Sequence, residues 1–254
     1  MSSDAHVPSY SSDGSAYSDA FRVFLAHTDQ KANALAWLDR EVAELPARNV
    51  LIDAGAGSGA LAARLAPQFS QTIAIEPNPS LMEQLRAACP AAQLISKGIL
   101  SPDLKLTERA DFVVCSHVFY YVERTLWLEH LQQMASWLQP RGVLAATIQN
   151  PDTDCMRLLR DFTGARYDLA QLGEQFLVSE RGEYRAVIET VPAHVDAPDI
   201  ETATTIAEFM LNLTPLRNPP LRSTVQDYLV RHFLQPRGNV RFSCHQDFLR
   251  VSRV

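Results

Sequence analysis

Between residues 49 and 148, five short apolar runs recur with helix-like stretches between them. This alternation restricts the fold more than any other property of the chain. The runs are "VLID" (Val50–Asp53), "TIAIE" (Thr72–Glu76), "AQLIS" (Ala92–Ser96), "DFVVCS" (Asp111–Ser116) and "GVLAATI" (Gly142–Ile148). Between them the spacing predicts helices over Ser58–Ala66, over Ser80–Ala88 with Pro90 as the stop, and over Glu123–Leu138. The strands are nearly continuous in apolar residues, as expected where helices cover both faces of a parallel sheet. Strand–helix alternation at this spacing predicts a doubly wound α/β fold. In such a fold the strand ends at Asp53, Glu76 and Ser116 line one edge, where ligands bind.

The flanks are less regular. Residues 1–16, rich in Ser and Asp, are expected to be flexible. Residues 17–46 follow a helical pattern, broken near Thr28 and Asp29. Beyond Ile148, helices are predicted over Asp152–Phe162, Ile200–Leu213 and Pro220–Leu234, and a strand over Arg185–Val191. Two β-like runs, "NVRFSC" and "DFLRV", close the chain after a turn at Pro236–Gly238, which places Cys244 and His245 on opposite faces of one strand. The expectation is a single domain over 17–254, with the helices of 17–46 and insertions within 151–238 forming a cap over the ligand edge.

Composition narrows the partners. Hydrophobic residues make up 46% of the 254, enough for a sizeable core. The formal charge is −6 and there is no run of Lys or Arg, which argues against nucleic acid or an anionic membrane as the main partner. No apolar stretch approaches the roughly 18 residues needed to span a bilayer. The first residues lack a basic region followed by an apolar core, so a cytoplasmic protein is expected; separately, a monomer or weak dimer is expected. The four cysteines (Cys89, Cys115, Cys155, Cys244) and seven histidines are scattered, which predicts neither disulfides nor a metal site.

The first strand runs into Asp53-Ala54-Gly55-Ala56-Gly57-Ser58-Gly59. A glycine turn between strand and helix lets a ligand approach the backbone. No Lys follows Gly59, so an ATP-type phosphate loop is ruled out, while a dinucleotide loop remains a loose match. Glu76, 23 residues after Asp53, can accept the ribose hydroxyls of a nucleoside. Asp53 tips the choice. A carboxylate at the head of the loop repels a pyrophosphate in a partly buried cleft but suits a ligand carrying an amino group. S-adenosylmethionine has an α-ammonium and no phosphate.

With these motifs the chain resembles the class I S-adenosylmethionine-dependent methyltransferases, which are Rossmann-like with a seven-stranded, mostly parallel sheet. Asp53 to Gly59 matches their first motif and Glu76 their second. The resemblance implies a cofactor site of Asp53, Gly55, Ala56, Gly57, Gly59, Glu76, Pro77, Asn78, Ser101 and Ser116. Three further stretches, "YSDAFRVFLAHTDQ" (Tyr17–Gln30), "DFVVCSHVFYYV" (Asp111–Val122) and "NVRFSCHQDFLRV" (Asn239–Val251), resemble histamine N-methyltransferase and its bacterial relatives.

That narrower resemblance implies an acceptor site. The family's carboxylate position falls on Gln30, with Asp29 adjacent. Its polar position after strand four falls on His117, followed by Tyr120 and Tyr121. Its amide position falls on or near Cys244. Tyr17 and Phe21 stand one helical turn apart and could close the pocket. The polar trio departs from the family's, so an acceptor other than histamine is expected, a small amine or acid. His117 and Tyr120 are the candidate catalytic residues, with His117 orienting the acceptor or taking its proton. Three alternatives stand beside this reading: an intramolecular cyclisation of S-adenosylmethionine releasing methylthioadenosine, a non-catalytic cofactor binder, and a nicotinamide-dependent oxidoreductase.

Overall fold

The computed structural model describes residues 5–10, 14–180 and 182–254. The chain, expected to be one domain, divides into two compact units. A sheet unit comprises Leu38–Ile148, Asp168–Glu189 and Asp247–Val254; a helical unit comprises Met1–Trp37, Gln149–Tyr167 and Thr190–Gln246. No helix among the described residues is long and apolar enough to cross a membrane.

The sheet unit is built on strands β1 (Val50–Ala54), β2 (Gln71–Ile75), β3 (Gln93–Ile95), β4 (Ala110–Ser116), β5 (Leu138–Gln149), β6 (Tyr184–Val191) and β9 (Gln246–Arg253). Their order across the sheet is β3-β2-β1-β4-β5-β9-β6. The pairs β1–β2, β1–β4, β2–β3 and β4–β5 are parallel. The order runs outward from β1 in both directions, so β1 and β4 border the point where it reverses, and doubly wound sheets hold ligands there. Leu51, Ile52, Ile73, Ile75, Phe112, Val113 and Leu144 are fully buried, which explains why these strands read as unbroken apolar runs.

Helices α3 (Ala60–Leu65) and α4 (Pro79–Ala88) follow β1 and β2. Their cores are small: Ala62, Met82, Leu85 and Cys89 cluster with Ala56 and Ala74. α4 is capped by Asn78, whose side-chain oxygen accepts from Ser80 N at 2.9 Å, and Pro79 occupies its first turn. The helix predicted over Glu123–Leu138 begins later, as α5 (Trp127–Ser136). Residues Phe119–Tyr121 and Arg124–Leu126 form two short 3-10 turns instead, and Trp137 leads directly into β5. Helix α7 (Leu169–Ser179), not foreseen in the sequence, opens on an Asp168 cap and buries Leu169, Leu172 and Phe176.

The helical unit contains α1 (Ser15–Ala26), the start of α2 (Gln30–Glu44), α6 (Asp154–Thr163), α8 (Ile200–Leu211) and α9 (Arg222–Phe233). It also holds a two-stranded antiparallel sheet of β7 (His194–Ala197) and β8 (Val240–Ser243). The two closing β-like runs therefore belong to different sheets, β8 here and β9 in the sheet unit. Cys244 and His245 lie in the connection between them and not on opposite faces of one strand.

Within the segment 1–16, expected to be flexible, residues 5–10 make contacts with the helical unit. Val7 is buried and its N–H donates to Pro220 O at 2.8 Å; Arg222 N donates to Ala5 O at 2.8 Å, and Tyr10 N to the Asn212 side-chain oxygen at 2.7 Å. These backbone bonds, with the bridge His6–Leu221, tie residues 5–7 to the segment before α9. The helix expected from residue 17 starts at Ser15, and residues 1–4 and 11–13 lie outside the described residues.

Candidate active site

The glycine loop leaves β1 at Ala54 and turns over the end of β2. Gly55 N and Ala56 N both donate to Ile75 O, at 2.8 and 3.0 Å, which pins the loop's first half. Gly55, Gly57 and Gly59 all have positive φ, of 82°, 56° and 84°. Two of them answer to different demands. A Cβ on Gly55 would stand 2.3 Å from Val118 Cγ2, so the segment after β4 rests directly on the loop. A Cβ on Gly57 would meet nothing within 4 Å. Gly57 thus borders open space, where a ligand can reach the backbone.

Glu76 spans the two strand ends. Its Oε2 accepts from Gly57 N and its Oε1 from Asn78 N, both at 2.8 Å. A carboxylate offers about four acceptor positions, so both oxygens keep capacity for the hydroxyls of a ribose. Pro77 and Asn78 follow it into the start of α4. Asp53 is 1% exposed, and its Oδ2 has no hydrogen-bond partner among the described residues. Burial first, and then the neighbouring Glu76 charge, push its carboxyl up to about 7, against one opposing hydrogen bond from the Ala62 backbone. A buried carboxyl with an idle oxygen, held at the threshold of ionisation, is costly to keep and suits a cationic hydrogen-bond donor.

His117 is the first residue after β4. It takes a left-handed backbone, φ 58°, and its N–H donates to Thr147 O at 2.8 Å. Its ring stacks on Tyr120, with centroids 5.9 Å apart and planes 13° apart. Burial drives the imidazole down to about 4, so it is neutral at pH 7. Tyr120 is buried while its neighbour Tyr121 is 56% exposed. The two tyrosines therefore face different surroundings.

The remaining expected residues are placed as follows. Ser116 ends β4 opposite Thr147 of β5. Ser101 lies beyond β3, where its hydroxyl donates to Asp103 Oδ1 at 3.0 Å. In the helical unit, Tyr17 and Phe21 pack on Phe209 of α8 at centroid distances of 5.3 and 5.2 Å. Asp29 Oδ1 accepts from His194 N at 2.7 Å. Gln30 is 4% exposed and its Nε2 donates to the Cys244 carbonyl at 2.9 Å; Cys244 is fully buried. Among the described residues no three His, Cys, Asp or Glu side chains are grouped to hold a metal ion.

Two contributors were not singled out in the sequence. Val118 fixes the segment after β4 against Gly55. Thr147 is 2% exposed with an Oγ1 that has no hydrogen-bond partner among the described residues, beside the His117 anchor. Its signal is a hydroxyl near the end of the apolar run "GVLAATI".

A sequence-family model described as a methyltransferase domain matches residues 25–188. No curated protein sequence matches the chain. Among solved structures, a candidate methyltransferase from Bacillus halodurans C-125 superposes with a TM-score of 0.59 at 12% identity, covering 84% of this chain and 96% of its own. The YcgJ protein from Bacillus subtilis gives 0.57 at 13% identity, covering 85% and 97%. A candidate sarcosine dimethylglycine methyltransferase from Galdieria sulphuraria gives 0.56 at 13% identity, covering 94% and 98%. At these identities the likeness is one of fold.

Proposed function

The chain belongs to the methyltransferase-domain family, and we propose that it transfers a methyl group from S-adenosylmethionine to a small-molecule acceptor. The observation that carries the cofactor is the idle, buried oxygen of Asp53 beneath a glycine loop that has no lysine. An α-ammonium satisfies it; a pyrophosphate would be repelled. Glu76 takes the ribose hydroxyls, and the open side of Gly57 gives the nucleoside its closest approach to the backbone. Ala56, Gly59, Pro77, Asn78, Ser101 and Ser116 complete the proposed cofactor set. When bound, the sulfonium supplies an already activated methyl group, so the protein's work is alignment and exclusion of water.

On the acceptor side we propose His117, Tyr120 and Tyr121 from the sheet unit. His117 is neutral at pH 7 and offers a ring nitrogen to hold the acceptor or to take its proton, and the stacked Tyr120 fixes the ring plane. Within the helical unit, considered by itself, Tyr17, Phe21, Asp29, Gln30 and Cys244 are proposed as substrate-binding residues. Gln30 is uncharged and its amide already holds the Cys244 carbonyl. That supports an acceptor other than histamine within a histamine N-methyltransferase-like group.

Titration calorimetry with S-adenosylmethionine and S-adenosylhomocysteine tests the cofactor, and absence of affinity for both would sink the proposal. Mass spectrometry of reactions with a panel of small amines and carboxylic acids tests the acceptor. S-adenosylhomocysteine and a product heavier by one methylene are expected. Methylthioadenosine formed without any acceptor would replace the reading with the intramolecular one.

A further inference from the structure

The seven-stranded sheet has two edges, and they are built differently. At one end β3 has three residues, which leaves little backbone for another strand to pair with. At the other end β6 has eight, Tyr184–Val191. A long edge strand is a template for pairing unless it is broken by proline, a bulge or inward charge, and "YRAVIETV" has no proline. Its solvent face presents Arg185, Val187 and Glu189 in alternation, with Val187 59% exposed between the two charges.

We infer that β6 is a self-recognition strand, pairing antiparallel with β6 of a second copy about a two-fold axis at Val187. The sequence around that residue is its own electrostatic complement. With Val187 opposite Val187, antiparallel register sets Arg185 of each copy opposite Glu189 of the other, on the same face of the joined sheet. Val187 meets its own counterpart and loses its exposed apolar surface. The arrangement is isologous, so it closes at two chains and does not propagate.

Glu189 is already engaged with Arg40 of α2, at 2.7 and 2.8 Å, and its side chain remains 48% exposed. A carboxylate can accept from a second guanidinium while the first holds its rotamer. Interleaved cations and carboxylates also disfavour one-residue slips, which would bring residues of different faces together. One strand pair is a small interface, so the dimer is weak and in the micromolar range.

The test is the mass of the full chain by light scattering and sedimentation from low to high micromolar concentration. A concentration-dependent rise toward twice 28.3 kDa is expected. R185E sets carboxylate against carboxylate at both cross-strand positions, and E189R sets guanidinium against guanidinium, so each variant alone should stay monomeric. Mixed together, the two variants set a guanidinium opposite a carboxylate at both positions: at one the native Arg185 of the E189R chain faces the native Glu189 of the R185E chain, and at the other the two introduced groups face each other with opposite charge. A heterodimer should therefore return. Circular dichroism of each variant keeps misfolding distinguishable. A wild-type monomer throughout, a dimer indifferent to R185E, or a mixture that does not associate would each overturn the proposal. It stands apart from the proposed methyl transfer, since the site residues are not on β6.

Discussion

At the residue scale, Asp53 and His117 titrate in opposite senses, and the opposition is testable. Asp53 is raised from 3.8 to about 7, so the folded state binds its proton more tightly than the unfolded chain. Its contribution to stability is present below about 4 and is lost as pH rises through 7. His117 is lowered from 6.5 to about 4, so its contribution is present above 6.5 and is lost as pH falls through 4. That displacement is worth roughly 3 kcal/mol. The two offset each other in the unliganded protein, and variants should separate them. H117N tolerates the left-handed backbone, and its melting temperature should rise from pH 7 to pH 4.5. D53N leaves the histidine alone and should melt lower over the same interval. Cofactor binding adds a second readout. A cationic ammonium beside Asp53 favours the carboxylate, so binding near pH 7 should release a proton and tighten as pH rises toward 8. Calorimetry in two buffers of different ionisation enthalpy measures that proton. D53N should bind about 10- to 100-fold more weakly without the release, since one charge-assisted bond is worth roughly 1.5–3 kcal/mol. Asp53 was legible in the sequence because it heads the glycine loop. The left-handed backbone of His117 was not, because it arises from β4 ending against Thr147, a contact between distant residues.

At the element scale, the strand–glycine–helix unit makes distinct demands at Gly55 and Gly57. G57A introduces a Cβ into open space, so its folding cost is the left-handed strain alone, about 1–2 kcal/mol. The same methyl narrows the space proposed for the nucleoside, and affinity for S-adenosylhomocysteine should drop at least tenfold in calorimetry. G55A meets Val118 Cγ2 at 2.3 Å and should cost considerably more in urea unfolding. Adding V118A removes the clashing atom and leaves Val118's former Cβ at 3.5 Å, an ordinary contact. The double variant should recover all but the strain. If V118A does nothing for G55A, the segment after β4 does not rest on the loop. The alternation over residues 50–148 was legible because the inner strands β1, β2, β4 and β5 are largely buried on both faces and each helix has its own local stripe. Helix α7 escaped because Gly173 interrupts its pattern; a Cβ there would meet Leu249 Cδ1 at 2.9 Å. The fate of β8 and β9 escaped for a different reason. Which sheet a short strand joins is decided by partners far away in sequence, and β8 pairs with β7, more than forty residues earlier.

At the scale of the whole molecule, each unit buries a carboxylate that an arginine from elsewhere in its own unit holds. In the sheet unit, Glu41 of α2 accepts from Arg250 Nε of β9 at 2.7 Å, with the Arg40 guanidinium 3.8 Å away on the exposed side. In the helical unit, Glu208 of α8 accepts from Arg222 Nε of α9 at 2.8 Å and from the Tyr10 hydroxyl at 3.3 Å. The sequence concealed both, since a glutamate on an amphipathic helix reads as solvated surface and its partner is named only by the tertiary fold. Such pairs contribute little net stability, because desolvation offsets most of the attraction, yet breaking one side is expensive. R250M leaves Glu41 buried beside the more distant Arg40 and should cost roughly 2–4 kcal/mol in urea unfolding, reduced from the fully buried case because Arg250 is about a third exposed. Substituting both partners, as E41M with R250M, removes the stranded charge and should regain most of that loss. R222M in the helical unit should behave as R250M does, and E208M should rescue it. Tyr10 adds a check of its own. Its hydroxyl is pushed up to about 12 by burial and by Glu208, so Y10F in the E208M background should be close to neutral while Y10F alone is destabilising. Equal costs for single and double variants would mean that these arginines act through packing of their aliphatic stems, and that the buried carboxylates are solvated by other means.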